Sequence, residues 1–274
     1  MRTIENETIV DFGKQLLKNE RARATAEKYV HDVRAFADWL GDQELCRATV
    51  VEYKATLCEK YASATVNGAL SSLNRFFEFT GRHDLHVKTL KIPKKLFDDD
   101  KQLTKAEYSR LIEAAGERLS LIMQTICSTG IRVSELRFIT VEAVDVGIAE
   151  VNCKGRRRMV LLPKRLCKML RRYVCRQKIK SGPVFVSKNG NPLDRSNIWS
   201  EMKKLCKKAG VSEKKVFPHN LRHLFARTFY EKHKDIVRLA DVLGHSSVNT
   251  TRIYTTDTIE TCRRYVQALD LLRC

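Results

Sequence analysis

Near residue 90 the helical pattern of this chain stops. The stretch LKIPKKLFDDD carries Pro93, a lysine pair and three consecutive aspartates, a composition that continues neither a helix nor a strand and reads as an exposed linker. The chain is therefore expected to fold in two pieces, residues 1–90 and 103–274, joined by 91–102. The first piece reads as helices. From Arg23 to Leu40, RATAEKYVHDVRAFADWL places Ala26, Tyr29, Val30, Val33, Phe36, Ala37 and Leu40 on one face. A second helix is expected over Val51 to Tyr61. A third runs through VNGALSSLNRFFEFTG, with Val66, Leu70, Leu73, Phe76 and Phe77 as its stripe and Gly81 as its stop. Beyond the linker, LTKAEYSRLIEAA opens a new helix with a capping box, Thr104 against Glu107. Two β-rich runs, GIAEVN and RMVLLP, flank the turn Cys153-Lys154-Gly155-Arg156 and predict one hairpin. The expected class is mainly α with a small β-sheet.

The charge is divided unequally between the pieces. Up to Lys95 there are 16 Lys and Arg against 13 Asp and Glu; the remainder holds 35 against 19, and the whole chain carries +19. Such an excess predicts a polyanionic partner, nucleic acid ahead of a membrane surface, with the chemistry on the second piece. Lys164, Arg165, Lys168, Arg171, Arg172 and Arg176 follow the hairpin on a helical tract; about half would be an ordinary solvated face, and together they would steer DNA in a salt-dependent way. No stretch approaches the ~20 apolar residues of a membrane span, and no signal peptide opens the chain. The nine cysteines form no CxxC pair, which argues for reduced thiols in the cytoplasm and against a zinc ribbon.

Four segments place phosphate-binding groups at element ends. In STGIRVSEL, Thr129-Gly130 closes one helix, Arg132 enters the next, and Glu135 stands one turn along. A guanidinium grips a phosphate through paired hydrogen bonds, although an i,i+3 surface ion pair fits the same spacing. Lys154 at the hairpin tip could donate a proton to a leaving oxygen, or simply be solvated. In FPHNLRHLFA, Pro218 starts a helix on which His219 and Arg222 share a face. His219 and His223 are four apart, but Asn220 stands where a zinc protease needs its glutamate, so no metal is expected. In the last segment Asp235 caps a helix that Gly244 ends, His245 follows, and Ser247 can cap the short helix that carries Tyr254. A tyrosine, ordinarily titrating near ~10, becomes a plausible nucleophile among cations that favour its phenolate. A packed tyrosine is the plainer reading of that residue taken alone.

In this order, TGIRVSEL, the lysine of CKG between two strands, HNLRH, LGHSS and RIYT resemble the tyrosine recombinase family, also called phage integrases, and in particular its Xer-like two-domain members. The resemblance covers Leu103 to about Tyr265 and, more loosely, TAEKYVHDVRAFADWL, which is similar to the family's SAM-like core-binding domain. It implies a DNA-clamping domain over 1–90 and a catalytic domain over 103–274. It implies that Arg132 and Arg222 grip the scissile phosphate and that Lys154 protonates the leaving 5′ oxygen. His219 and His245 would assist, Glu135 would back the first arginine, and Tyr254 would be the nucleophile. The implied activity is site-specific cutting and rejoining of double-stranded DNA through a 3′-phosphotyrosyl intermediate and a Holliday junction. It needs no cofactor, metal or ATP, and it runs in a tetramer docked through the C-terminal helix at 257–272. A type IB topoisomerase and a non-catalytic DNA-binding protein are the competing readings. One departure is EKHKD, where His233 stands at a helix end that commonly has glycine, so a locally strained turn is expected there.

Overall fold

The computed structural model describes residues 4–92, 102–153, 156–187, 190–245 and 247–251. The chain divides into two compact units, residues 1–94 and 95–274.

In the first unit four helices, α1 (Asn6–Lys18), α2 (Arg23–Leu40), α3 (Arg47–Lys60) and α4 (Ser63–Phe79), enclose an aromatic core of Phe12, Phe36, Phe76 and Phe77. The sequence reading had no α1, although Ile9, Phe12 and Leu16 form a sparse helical stripe that is buried. At Gly13 the two helices pack closely: a Cβ there would stand 3.0 Å from a Val30 methyl of α2, which would have to give by a few tenths of an ångström. α3 begins four residues before the expected Val51. The chain after α4 is held by asparagines: the Asn74 amide bonds both backbone groups of Val87, and Asn67 does the same for Leu90. These pairings satisfy an irregular segment that no strand accompanies.

The second unit is built round α6 (Glu117–Thr129), which follows α5 (Lys105–Ala114) and whose Leu121, Ile122, Met123 and Ile126 are buried. The Thr104–Glu107 box caps α5 as its sequence predicts. A 3-10 turn over Val133–Phe138 and the short α7 (Val141–Val146) lead into the hairpin of β1 (Ile148–Cys153) and β2 (Arg156–Leu161). Cys153 and Arg156 are paired in this antiparallel ladder, so the strands run two residues closer together than the expected four-residue turn. Alternation buries Ala149, Val151 and Val160 and leaves Met159 and Leu161 exposed. Four helices complete the unit: α8 (Lys164–Gln177), α9 (Arg195–Ala209), α10 (Pro218–His233) and α11 (Ile236–Leu243). A single turn, α12 (Val248–Thr251), ends the described chain. All six cations of the α8 tract are exposed, with Arg171 paired to Asp145 and Arg176 to Glu117. α9 was not anticipated, yet Ile198, Met202, Cys206 and Ala209 line its buried face. At the end of α10 the left-handed residue is Lys234, φ 54°, rather than His233, which is the last helical residue. The strain expected for a non-glycine turn therefore falls one residue later.

Candidate functional site

α6 ends on Gly130 in the left-handed conformation, φ 68°. Glycine is required twice over, because a Cβ there would come within 2.5 Å of the Phe225 ring. The reversal delivers Arg132 to the head of the 3-10 turn. From inside that turn the Glu135 carboxylate reaches back, accepting the Arg132 backbone N–H at 2.9 Å and its Nη1 at 3.0 Å. Glu135 is 1% exposed, so this is no surface ion pair. A buried carboxylate is tolerated only when its charge and lone pairs are met. The second partner is Arg158 of β2, whose Nη2 donates to Glu135 at 2.7 Å while Nη1 donates to the Val242 carbonyl at 2.7 Å. Period-2 alternation puts Arg158 on the same face as buried Val160. The sequence carries that signal, since Arg158 stands two residues before Val160 in RMVLLP, although a charged side chain taken alone points to solvent.

Arg222 is the largest fully buried side chain of the described residues. Its Nη1 donates to the Gly130 carbonyl at 2.5 Å, and its Nη2 to the Leu243 carbonyl at 2.8 Å. It thus ties together the C-terminal ends of α6 and α11, where unpaired carbonyls and the helix dipole favour a cation. Nη2 also lies 2.9 Å from His245 Nε2. A guanidinium can only donate, so Nε2 presents its lone pair and His245 is neutral. The proton then sits on Nδ1, 2.9 Å from Thr251 Oγ1. Thr251 is fully buried. Gly244, φ 66°, makes the turn into His245.

Burial, followed by the charges of Arg222, Arg132 and Arg158 and then His219, pushes the His245 pKa down to about 4. His219 is exposed but packs edge-on against His223, ring centroids 4.6 Å apart. Partial loss of hydration, then Arg222 and Arg132, lowers its pKa. His223 is pushed down to about 4, by burial first and then by His219, Arg227 and Arg222. The linkage has a definite sign. Unfolded histidines take up protons near ~6.5 while these stay neutral in the fold, so the unfolded state binds more protons below that value. Stability is full above about pH 6.5 and falls as the pH drops towards about 4. Urea midpoints measured across that window should decline with acidification, and His223→Gln should flatten the decline.

Arg132, Glu135, His219, Arg222 and His245 are thus brought together from segments up to 113 residues apart, with Arg158 added. Lys154 and Tyr254 lie outside the described residues, as do the expected C-terminal helix and most of the expected linker. Among the described residues no group of three metal-ligating side chains assembles, and no helix is long and apolar enough to cross a membrane.

Comparison with known proteins gives two family matches, the phage integrase family over residues 101–260 and the phage integrase N-terminal SAM-like domain over residues 9–83. The tyrosine recombinase XerA of Thermococcus kodakarensis is 31% identical, the match covering 97% of this chain and 96% of that protein. The tyrosine recombinase XerD of Halalkalibacterium halodurans is 27% identical over 93% and 88%. Among solved structures, a crystal structure of XerA recombinase superposes with a TM-score of 0.53 at 26% identity, covering 98% of this chain and 99% of that one. A lambda integrase tetramer bound to a Holliday junction superposes at 0.75, covering 92% and 77%; at 19% identity that likeness speaks to the fold alone.

Proposed function

The chain belongs to the phage integrase family and is a site-specific tyrosine recombinase, and from that premise we propose that Tyr254 is its nucleophile and that the cationic cluster of the second unit holds the scissile DNA phosphate. The Tyr254 oxygen attacks phosphorus as its proton passes to His219, the bond to the 5′ oxygen breaks, and a 3′-phosphotyrosyl ester is left. Lys154 supplies the proton that leaves with the 5′ hydroxyl. Attack by a 5′ hydroxyl from a second duplex reverses the step, passing through a Holliday junction. No bond energy is lost to water, so no nucleotide is consumed. Arg132 and Arg222 stabilise charge on the non-bridging oxygens, with His219 and His245 as hydrogen-bonding partners.

The observation that carries this reading is the assembly of Arg132 and Arg222 round the same two histidines. The thread to the nucleophile is the bond from His245 to Thr251, three residues before Tyr254. Residues 1–90 would be the DNA-clamping domain, with 91–102 as linker and 103–274 as the catalytic domain. Homologous assemblies are known, lambda integrase as a tetramer on a Holliday junction and XerH on its difH substrate. A tetramer docked through residues 257–272 is the arrangement we assign to this chain. Cys46, Cys58, Cys127, Cys167, Cys175 and Cys206 are all free thiols, which suits a cytoplasmic enzyme.

The test is to incubate the protein with sheared genomic DNA of its source in EDTA, collect SDS-resistant adducts, and sequence the attached ends. We expect adducts at a defined sequence, with the phosphopeptide mapping to Tyr254. Dependence of the adduct on added divalent metal would sink the proposal.

A further inference from the structure

Arg158 is a charged side chain on the inward face of a strand, 14% exposed, and the mechanism above gives it no task. Its contacts are specific. One guanidinium nitrogen meets the buried Glu135 carboxylate and the other meets the carbonyl of Val242, at the end of α11. Glu135 in turn holds Arg132 through both its backbone N–H and its guanidinium. Val242 lies three residues before His245. The next turn is shaped to the arginine: a Cβ on Gly244 would stand 2.4 Å from Arg158 Cδ and 2.7 Å from Nε, so only a glycine lets the stem lie across that backbone. In the sequence Arg158 follows Lys154 by four residues.

We propose that Arg158 is a positioning residue for strand cleavage, a two-armed tie that sets Arg132 through Glu135 and the His245 turn through Val242, and so fixes the hairpin that bears Lys154 to both. This rests on the functional reading given above. A planar guanidinium can donate in two directions at once, whereas an ammonium of the same charge cannot span both acceptors in that geometry. The expected consequence is misplacement of the phosphate grip rather than loss of affinity for DNA, most of which comes from backbone contacts spread over the surface.

The experiment uses the full chain and a nicked duplex carrying the sequence recovered from the genomic adducts, so that cleavage is irreversible and a single-turnover rate is read at saturating protein. Misplacement by about an ångström costs up to ~100-fold. On that scale Arg158→Ala should slow adduct formation by about 100-fold and Arg158→Lys by about 10-fold, with DNA affinity within about 2-fold of the parent. Melting profiles identify any variant that fails to fold, and Arg158→Lys carries the test if the alanine variant is one of them. A second readout separates positioning from general support. In a Glu135→Gln background the carboxylate arm is already gone, so Arg158→Lys should cost no more than about 3-fold, because coupled residues are non-additive. Undiminished cleavage by Arg158→Lys, or an effect that multiplies independently with Glu135→Gln, would overturn the proposal. Failure of the parent itself to form an adduct, or adducts with Tyr254→Phe in the same assay, would instead overturn the functional reading.

Discussion

Tyr254→Phe should bind DNA with the parent's affinity and form no covalent adduct. The substitution removes a single oxygen and leaves the ring, the tail and every cation of the site in place, so the phosphate contacts that dominate affinity are untouched. What disappears is the atom proposed above to bond to phosphorus. Among the described hydroxyls, the one closest to Tyr254 in the sequence is Thr251 Oγ1, which is buried and engaged by His245. Loss of a nucleophile that acts in concert with its supporting groups costs on the order of 10⁴-fold or more. Gel retardation and SDS-resistant adduct formation on the same duplex measure the two halves separately. Adducts at the parent's rate would remove Tyr254 from the chemistry, whereas loss of retardation would mean that the ring itself supports the DNA-bound fold.

Arg222→Ala should fail in two ways at once. Cleavage should fall by about 10³-fold, the upper range for a missing transition-state donor. Stability should fall as well, because the guanidinium satisfies the Gly130 and Leu243 carbonyls in a fully buried setting. Stranding two buried acceptors at about 1–3 kcal/mol each, with the cavity added and the desolvation of the charge relieved, gives a net loss of about 3–5 kcal/mol. His245 also loses the donor that holds its Nε2 lone pair, so its pKa should move back up towards the ordinary histidine value, observable by NMR. Arg222→Lys keeps the charge but reaches only one carbonyl, and we expect intermediate stability with cleavage still depressed by more than about 10-fold. Denaturation midpoints of the DNA-free protein, measured beside single-turnover rates well below melting, keep the two losses apart. Full activity in Arg222→Lys would show that charge alone suffices there.

Much of the local structure was written in short stretches of sequence. The Thr104–Glu107 box, the glycine stops at Gly81, Gly130 and Gly244, Pro218 at the start of α10 and Asp235 capping α11 are choices made over three or four residues. Where the reading fell short, the signal was thin or mixed. α1 has three buried apolar positions in two turns with a glycine among them, and α9 hides its stripe under five Lys and Arg residues. Arg158 could have been suspected only by counting the pleat backwards from Val160.

The sequence by itself determined which chemistry is available: the order of two arginines, three histidines and a tyrosine along a strongly basic second piece, and the breaks that place them at element ends. Only the tertiary structure decided their electrical states. Glu135 becomes a buried carboxylate shared by Arg132 and Arg158, Arg222 becomes a fully enclosed cation bridging two helix ends, and His245 becomes a neutral ring with its proton on Nδ1. The reason is physical. Hydration and charge–charge distance fix ionisation, and both are properties of groups up to 113 residues apart in the chain that meet only when the core packs.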